Sequence, residues 1–551
     1  MLEGFIPWPE ERARAYREKG YWEGLSVFEM VARSAARHPD KVALVAGKQR
    51  IPYRELVAAA ERLACRFLEA GLKPLDRAVM QLPNTPEFAH TYLALTRIGA
   101  IPVMALRNHR HSEIRHFIKA SGAVAYVIPD RHAGFDYRPM AQTMSAECPT
   151  LERVLVAGEP APGQSALGPL IEEPIDARRV RAALERVRPD PCDVATMLLS
   201  GGTTSISKLI PRTHNDYVLN ARACCGPAGF DAHTVFMAIL PLGHNYNLAS
   251  PGMLGAFRCG GTVVLAGSGD ADEVFGLVER ERVTVIAAVV PLITGWLASE
   301  APARYDLGSL RSIQNGGARL APELRRRLRE RFGCIPQEVY GTAEGLINMT
   351  RLDDPDALLL ESSGAPVCDD DEIRVIDEAG NDVPDGAGGE LVTRGPYTIN
   401  GYYDAAEKNR EAFTSDGYYR MGDIVRKRGR YVWAEGRKKD LVNRGGEKIS
   451  CEEVENLILR HPSVRAVSLV AMPDERFGEK ACAFVIPHPE KTLGFEELTA
   501  FLRAQGIASF KLPERLELVA EFPVSPVGKI LKRELRERIA AQLERERAAG
   551  T

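Results

Sequence analysis

Leu199-Ser200-Gly201-Gly202-Thr203-Thr204-Ser205-Ile206-Ser207-Lys208 is the stretch around which the chain is organised. A mostly apolar run, Ala195 to Leu199, leads into it and reads as a short buried strand. Glycines let a backbone approach an anion closely, because no Cβ intervenes. Backbone N–H groups and the Ser and Thr hydroxyls can then surround phosphate oxygens, with Lys208 supplying the balancing charge. The P-loop pattern needs G-x-x-x-x-G-K-[ST]; here Ser207 precedes Lys208 and Leu209 follows it, so that pattern fails. Two readings stand on the loop alone: a phosphate-gripping loop of another kind, or an ordinary Gly/Ser/Thr turn.

Outward from this loop, short apolar strands alternate with helical patterns. Towards the N-terminus, Val42 to Val45, Val79 to Leu82 and Val124 to Ile128 read as strands, with helices over Ser26 to Arg37, Tyr53 to Ala70 and Ser112 to Ser121. Towards the C-terminus, Thr234 to Ile239, Gly261 to Leu265 and Val283 to Pro291 read as strands, each before a helical pattern. The alternation implies parallel sheets and an α/β class up to about Gly341. Beyond Glu372, Ile373 to Ile376, Gly389 to Arg394 and Tyr431 to Ala434 alternate in polarity between Gly/Asp turns and predict an antiparallel module. The charged run in Gly436-Arg437-Lys438-Lys439-Asp440 suggests a solvated crossing into a small α+β unit of about 110 residues. Lys529 to Ala549 reads as a closing, mostly surface helix.

A chain of 551 residues should hold two or more domains. Its net charge of −3 offers no nucleic-acid footprint, and no apolar run is long enough to span a membrane. The ten cysteines show no C-x-x-C pair or zinc spacing, which fits reduced thiols in a cytoplasmic protein.

Five sets of residues stand in order along the chain. The loop to Lys208 runs on into Pro211-Arg212-Thr213-His214; Tyr340-Gly341-Thr342-Ala343-Glu344 and Tyr419-Arg420-Met421-Gly422-Asp423 follow, then Gly436-Arg437 and Pro526-Val527-Gly528-Lys529. In this order and at these separations they resemble the core motifs of the adenylate-forming (acyl-activating) superfamily, over nearly the whole chain from about Trp8 to Leu535. Within it, Gly4-Phe5-Ile6-Pro7-Trp8-Pro9, Leu209 to His214, His244-Asn245-Tyr246 and Asn348 to Asp354 resemble the freestanding aryl-acid–AMP ligases of the 2,3-dihydroxybenzoate type.

The resemblance implies a large N-terminal domain, residues 1–438, of two α/β subdomains plus a small β module. A small mobile α+β lid, residues 439–551, would follow. It implies two half-reactions: a carboxylate attacks the α-phosphate of ATP to give an acyl adenylate and pyrophosphate, then a thiol takes the acyl group and releases AMP. Thr203, Thr204, Ser205 and Lys208 would line the β/γ-phosphates, although Ser205 and Ser207 stand where the family usually has Gly and Pro. Glu344 would direct Mg²⁺. Tyr340 would stack on adenine, with Gly316, Gly317 and Ala318 on its other side and Gly341 and Thr342 beside it. Asp423 would accept from the ribose hydroxyls, and Arg437 would lie near ribose and phosphate. Met421 replaces the usual Thr. Lys529 would be the mobile catalytic ammonium, Lys439 the hinge, and Gly445 and Gly446 the thiol tunnel.

For the acid, His244, Asn245 and Tyr246 match the family's pocket triplet, and His244 would also join the catalytic groups. Ser250 matches the residue that accepts a second ring hydroxyl, and Ile347 one that sets pocket depth; the alternative is that both merely pack. Asn247 and Met349 depart from the usual pattern, so 3-hydroxyanthranilate, salicylate or a hydroxypicolinate are alternatives to 2,3-dihydroxybenzoate. The implied acceptor is the phosphopantetheine thiol of an aryl carrier protein, in siderophore or aryl-capped nonribosomal peptide biosynthesis. Coenzyme A is the alternative acceptor, and a non-catalytic ATP-binding module the alternative from another class.

Overall fold

The computed structural model describes residues 1–200, 207–437, 440–444, 447–525 and 528–549. Thr203, Thr204, Ser205, Lys439, Gly445 and Gly446 lie outside the described residues.

Two large sheets form the body. In the nine-stranded sheet, six neighbouring strands run parallel: Ile335–Thr342, Ser312–Gly316, Val285–Ala288, Val235–Ala238, Thr262–Leu265 and Val42–Ala46. Antiparallel strands close both its edges, Gly345–Met349 and Ala365–Pro366 at one side and Gln49–Pro52 at the other. In the seven-stranded sheet Val194–Leu199, Ile101–Met104, Arg77–Met80, Ala125–Pro129, Arg153–Ala157 and Ser165–Ala166 are parallel. The parallel sheets expected from the strand–helix alternation, and the two α/β subdomains the resemblance implied, are therefore present.

Both faces of the nine-stranded sheet are covered, which is why its strands read as continuous apolar runs. Successive residues face opposite ways: Phe236 enters the core between the sheets and Met237 the core on the far side. The first core holds Val31, Leu63, Tyr92, Val103, Met197 and Phe257, all fully buried. The second holds Val274, Ile286, Ile313 and Leu328.

The expected antiparallel module is a four-stranded sheet of Glu372–Ile376, Gly388–Arg394, Tyr419–Arg428 and Tyr431–Arg437. Gly436 and Arg437 end a paired strand, with Arg437 opposite Asp423. From Val442 onward the chain has its own sheet, built on the long pair Val464–Asp474 and Gly478–Pro487, with one core on each face.

Two expectations are corrected. The strand expected over Val283 to Pro291 is Val285–Ala288, because Val290 and Pro291 already open the helix Val290–Ala298. The final helix is Lys532–Ala549, not Lys529 to Ala549, so Lys529 stands in the turn before it. As expected, most of that helix is surface, with Leu535 and Ile539 buried against the sheet beside Val470 and Phe484.

A buried carboxyl ties the antiparallel module to the body. Asp371 receives the Tyr397 hydroxyl and the Cys368 N–H on one oxygen, while its other oxygen is buried without a partner. Burial pushes this carboxyl up to about 7, against the lowering pull of the Tyr397 hydroxyl. Below about pH 4 both folded and unfolded chains carry the proton at this position. Between there and about 7 only the folded state keeps it, so stability falls as pH rises through this window and the loss is complete above it. Asp371→Asn removes that slope. The melting temperature of the variant minus that of the wild type should grow from about pH 4 to about pH 8, by the equivalent of a few kcal/mol. A difference that stays flat with pH would show that Asp371 does not titrate in this way.

Candidate active site

The strand Val194–Leu199 turns back on Leu209–Thr213 as an antiparallel hairpin, and the glycine loop is the excursion between them. Its ends are closed by hydrogen bonds from Ser200 N–H to the Lys208 carbonyl at 3.0 Å and from Lys208 N–H to Ser200 Oγ at 2.9 Å. Leu209–Thr213 is an edge strand, which is how it tolerates Pro211. No local pattern announces this hairpin, because Pro211 and Arg212 interrupt the apolar run.

The half-buried Lys208 ammonium lies 4.1 Å from the centre of the Tyr402 ring. Burial lowers its pKa, and the carboxylate of Glu344 pulls it back up. Glu344 sits in the tight turn between Ile335–Thr342 and Gly345–Met349 and is 7% exposed. One of its oxygens accepts the Tyr402 hydroxyl at 2.8 Å, and its carbonyl accepts the Ile399 N–H. Mg²⁺ takes one or two carboxylates and fills its other positions with phosphate oxygens and water. A single buried carboxylate beside Lys208 fits that demand. Among the described residues no group of three His, Cys, Asp or Glu side chains gathers to hold a metal by protein ligands alone.

Tyr340 and Asp423 come from different sheets and meet: the Tyr340 hydroxyl donates to Asp423 Oδ2 at 2.8 Å. Gly341 lies where a Cβ would fall 2.3 Å from the Leu346 carbonyl and 2.7 Å from Ile347 Cδ1, so only glycine fits. The turn after Ser312–Gly316 is closed by Asn315 Nδ2 donating to the Ala318 carbonyl at 2.7 Å. Gly316 faces the Tyr246 ring, where a Cβ would be 2.7 Å from Cε1, and Gly317 faces Lys529, where a Cβ would be 3.3 Å from Cε.

Lys529 thus reaches from the C-terminal unit into the body. Its turn is held by Ser525, whose Oγ accepts the Lys529 N–H at 3.1 Å and whose N–H donates to the Lys529 carbonyl at 2.7 Å. Gly528 has φ +77°, and a Cβ there would stand 2.7 Å from Val289 Cγ2, so glycine is what lets this turn seat on the body. With Leu240, Pro241, His244, Tyr246, Val289 and Gly317, Lys529 lines a small, almost wholly apolar pocket. Burial and the nearby Lys529 charge hold His244 down at about 4, so its ring is neutral at pH 7. Its Nδ1 accepts the Tyr246 N–H at 3.3 Å, which leaves the proton on Nε2. A second contact between the two units is the ion pair of Arg319 with Glu452 at 3.3 Å.

Behind the pocket runs a polar network. Asn245 Oδ1 accepts the Tyr217 hydroxyl at 2.9 Å, and Asn245 Nδ2 donates to Ser250 Oγ at 3.2 Å. Asn220 donates to the same Ser250 Oγ and accepts from Arg212. Ser250 thus accepts two amide hydrogen bonds, and Ile347 is buried beside Gly341. Arg212 is fully buried, pairs with Asp216 at 2.7 Å, and donates to the carbonyls of Ala343 at 2.8 Å and Tyr397 at 3.1 Å. It braces the residue next to Glu344.

Sequence reasoning did not pick out Arg212, Tyr217, Asn220 or Tyr402 as site residues. One local signal was available for the first of these. Thr213 and Asp216 form a capping box at the start of the helix His214–Cys225, and the strand before it delivers Arg212 to the same carboxylate.

Two family models match the chain: "AMP-binding enzyme" over residues 31–403 and "AMP-binding enzyme C-terminal domain" over residues 453–529. The chain belongs to the AMP-binding enzyme family, and it is an adenylate-forming ligase of the kind its motifs resembled. It is 46% identical to the 2,3-dihydroxybenzoate-AMP ligase of Bacillus subtilis over 98% of this chain and 99% of that one. It is equally 46% identical to a salicylyl-CoA synthase / salicylate adenylyltransferase of a Streptomyces species, over 97% of each chain. Among solved structures, the apo structure of MbtA from Mycobacterium smegmatis is 39% identical and superposes with a TM-score of 0.73, covering 97% of this chain and 99% of that one. Among the described residues no helix is long and apolar enough to cross a membrane.

Proposed function

We propose that this enzyme activates a hydroxylated aromatic carboxylic acid with ATP and passes the acyl group to the phosphopantetheine thiol of an aryl carrier protein. Following the motif resemblance, we place this chemistry in siderophore or aryl-capped nonribosomal peptide biosynthesis, in a reducing compartment where the ten unpaired cysteines are stable. The observation that carries the reading is Lys529, seated against Gly317 and beside His244 in the pocket backed by Asn245 and Ser250.

In this reading a carboxylate oxygen of the acid attacks the α-phosphorus of ATP, and the bond to the bridging oxygen breaks as pyrophosphate leaves. Two anions must approach, so positioned positive charge matters more than an acid–base pair. Lys529 supplies it at the carboxylate and α-phosphate, and Lys208 at the outer phosphates. Glu344 would hold a Mg²⁺ whose charge offsets that of the phosphates. Neutral His244 adds no charge of its own and offers Nε2–H as a donor. Asp423, held by Tyr340, takes the ribose hydroxyls.

After adenylation, Lys529 and the Arg319–Glu452 pair would have to part for the small domain to turn about Lys439 and bring Gly445 and Gly446 to the acyl adenylate. The two domains are assigned as residues 1–438 and 439–551.

The test is acid-dependent exchange of pyrophosphate into ATP with a panel of benzoic acids. Exchange with 2,3-dihydroxybenzoate above benzoate is expected, and exchange with none of the hydroxylated acids would refute the proposal. Ser250→Cys should shift the ranking toward 2-hydroxybenzoate by roughly tenfold, the usual scale for one lost polar contact; an unchanged ranking would remove Ser250 from the specificity set. The Streptomyces relative's name favours coenzyme A as a second acceptor. Loading of a phosphopantetheinylated carrier against formation of acyl-CoA decides between the two.

A further inference from the structure

Asn220 lies in the helix His214–Cys225 and is fully buried. Its amide orientation is fixed by chemistry rather than by choice. Arg212 can only donate, and its Nη2 gives a hydrogen bond to Asn220 Oδ1 at 3.2 Å. The Ala249 carbonyl can only accept, and it takes Asn220 Nδ2 at 2.6 Å. The second N–H of that amide goes to Ser250 Oγ at 3.3 Å.

Ser250 Oγ also receives Asn245 Nδ2, at 3.2 Å. A hydroxyl has two lone pairs and one proton. Two amide donors occupy both lone pairs, so the proton is what remains for a bound ring. Asn245 repeats the pattern, since its oxygen is taken by the Tyr217 hydroxyl and one amide proton is left over.

We infer that Asn220 is a positioning residue that determines substrate choice: it sets Ser250 as a donor, so that the acid must present a hydrogen-bond acceptor there. The chemical class selected is a hydroxyl or phenolate oxygen on the ring, against an amino group, whose protons would meet a proton. This rests on the aryl-acid reading above and adds which atom of the acid is read, and through which side chain.

The test is pyrophosphate–ATP exchange by the wild type, Asn220→Leu, Ser250→Ala and the double variant. The acids are 2,3-dihydroxybenzoate, 3-amino-2-hydroxybenzoate and 2-hydroxybenzoate. The wild type should prefer the second hydroxyl over the amino group by roughly 10- to 100-fold in kcat/KM, because a mismatch leaves buried polar groups unpaired. In Asn220→Leu that ratio should fall toward one. Ser250→Ala should lose the ratio to the same extent, and the double variant should lose no more, because both act through one hydroxyl. A merely structural role for Asn220 would lower all three acids together and leave the ratio intact, which would overturn the assignment. Should Asn220→Leu fail to fold, Asn220→Ser carries the same expectation without added bulk. No exchange with any of the three acids in the wild type would remove the parent reading and this one with it; exchange with an unmoved ratio in the Asn220 variants removes this one alone.

Discussion

Replacing Lys529 by alanine should abolish acid-dependent pyrophosphate–ATP exchange, by roughly 10²–10³-fold or more, and leave the fold intact. The magnitude is that of deleting one preorganised donor from a site where charge develops. The fold should survive because the turn is held by its backbone and by Ser525 rather than by the lysine side chain. The loss should fall on the step that makes the adenylate. Transfer of the acyl group from a chemically prepared acyl adenylate to the thiol should persist in Lys529→Ala, because by then the lysine's work is done. Exchange that continues undiminished in the variant, with melting unchanged, would take Lys529 out of the mechanism. Lys529→Arg is a useful companion. It keeps the charge but not the compact ammonium, and should recover only part of the rate.

The second large effect is expected at Arg212, far from any exposed surface. Its guanidinium pairs with Asp216, donates to Asn220, and supports the carbonyls of Ala343 and Tyr397. Arg212→Met would leave a fully buried carboxylate without its partner, and breaking such a pair costs about 3–5 kcal/mol. Burial already raises the pKa of Asp216 against the opposing pull of Arg212, so removing the arginine should drive that carboxyl toward its neutral form. The denaturation midpoint should fall accordingly. Adding Asp216→Asn to Arg212→Met should recover part of the stability, since the stranded charge is then gone. Exchange activity should stay low in both, because the Ala343 carbonyl next to Glu344 has lost its donor. A single variant that melts like the wild type would contradict the bracing role.

Much of this was legible from residues alone, for reasons that are local. The strands of the two large sheets are buried on both faces and therefore read as apolar runs, such as Thr262–Leu265 and Val285–Ala288. The helix Val27–Arg37 begins at Ser26, whose hydroxyl caps it while Glu29 reaches back, a pairing written in adjacent residues. The alternating polarity beyond Glu372 gave the antiparallel module. Glycines in Tyr340-Gly341-Thr342 and Val527-Gly528-Lys529 marked chain positions that must pass close to something or turn left-handed, and Gly341 and Gly528 do so.

What the chain could not disclose locally are the meetings across long separations. A polar residue in a sequence reads as surface, and nothing in its neighbours says that Arg212 is sealed against the distant carbonyls of Ala343 and Tyr397. Tyr402 joins Glu344, and Asn220 joins Ser250, only because separate sheets and helices pack together. Lys529 acquires its place against Gly317 only when the C-terminal unit docks on the body. The amino-acid order by itself settled the α/β class, the antiparallel module and the family to which the chain belongs, because each of those rests on local periodicity or on short motifs. Only the tertiary structure decided which polar groups donate and which accept behind the pocket, because a hydrogen bond's direction is set by every partner that burial brings within reach.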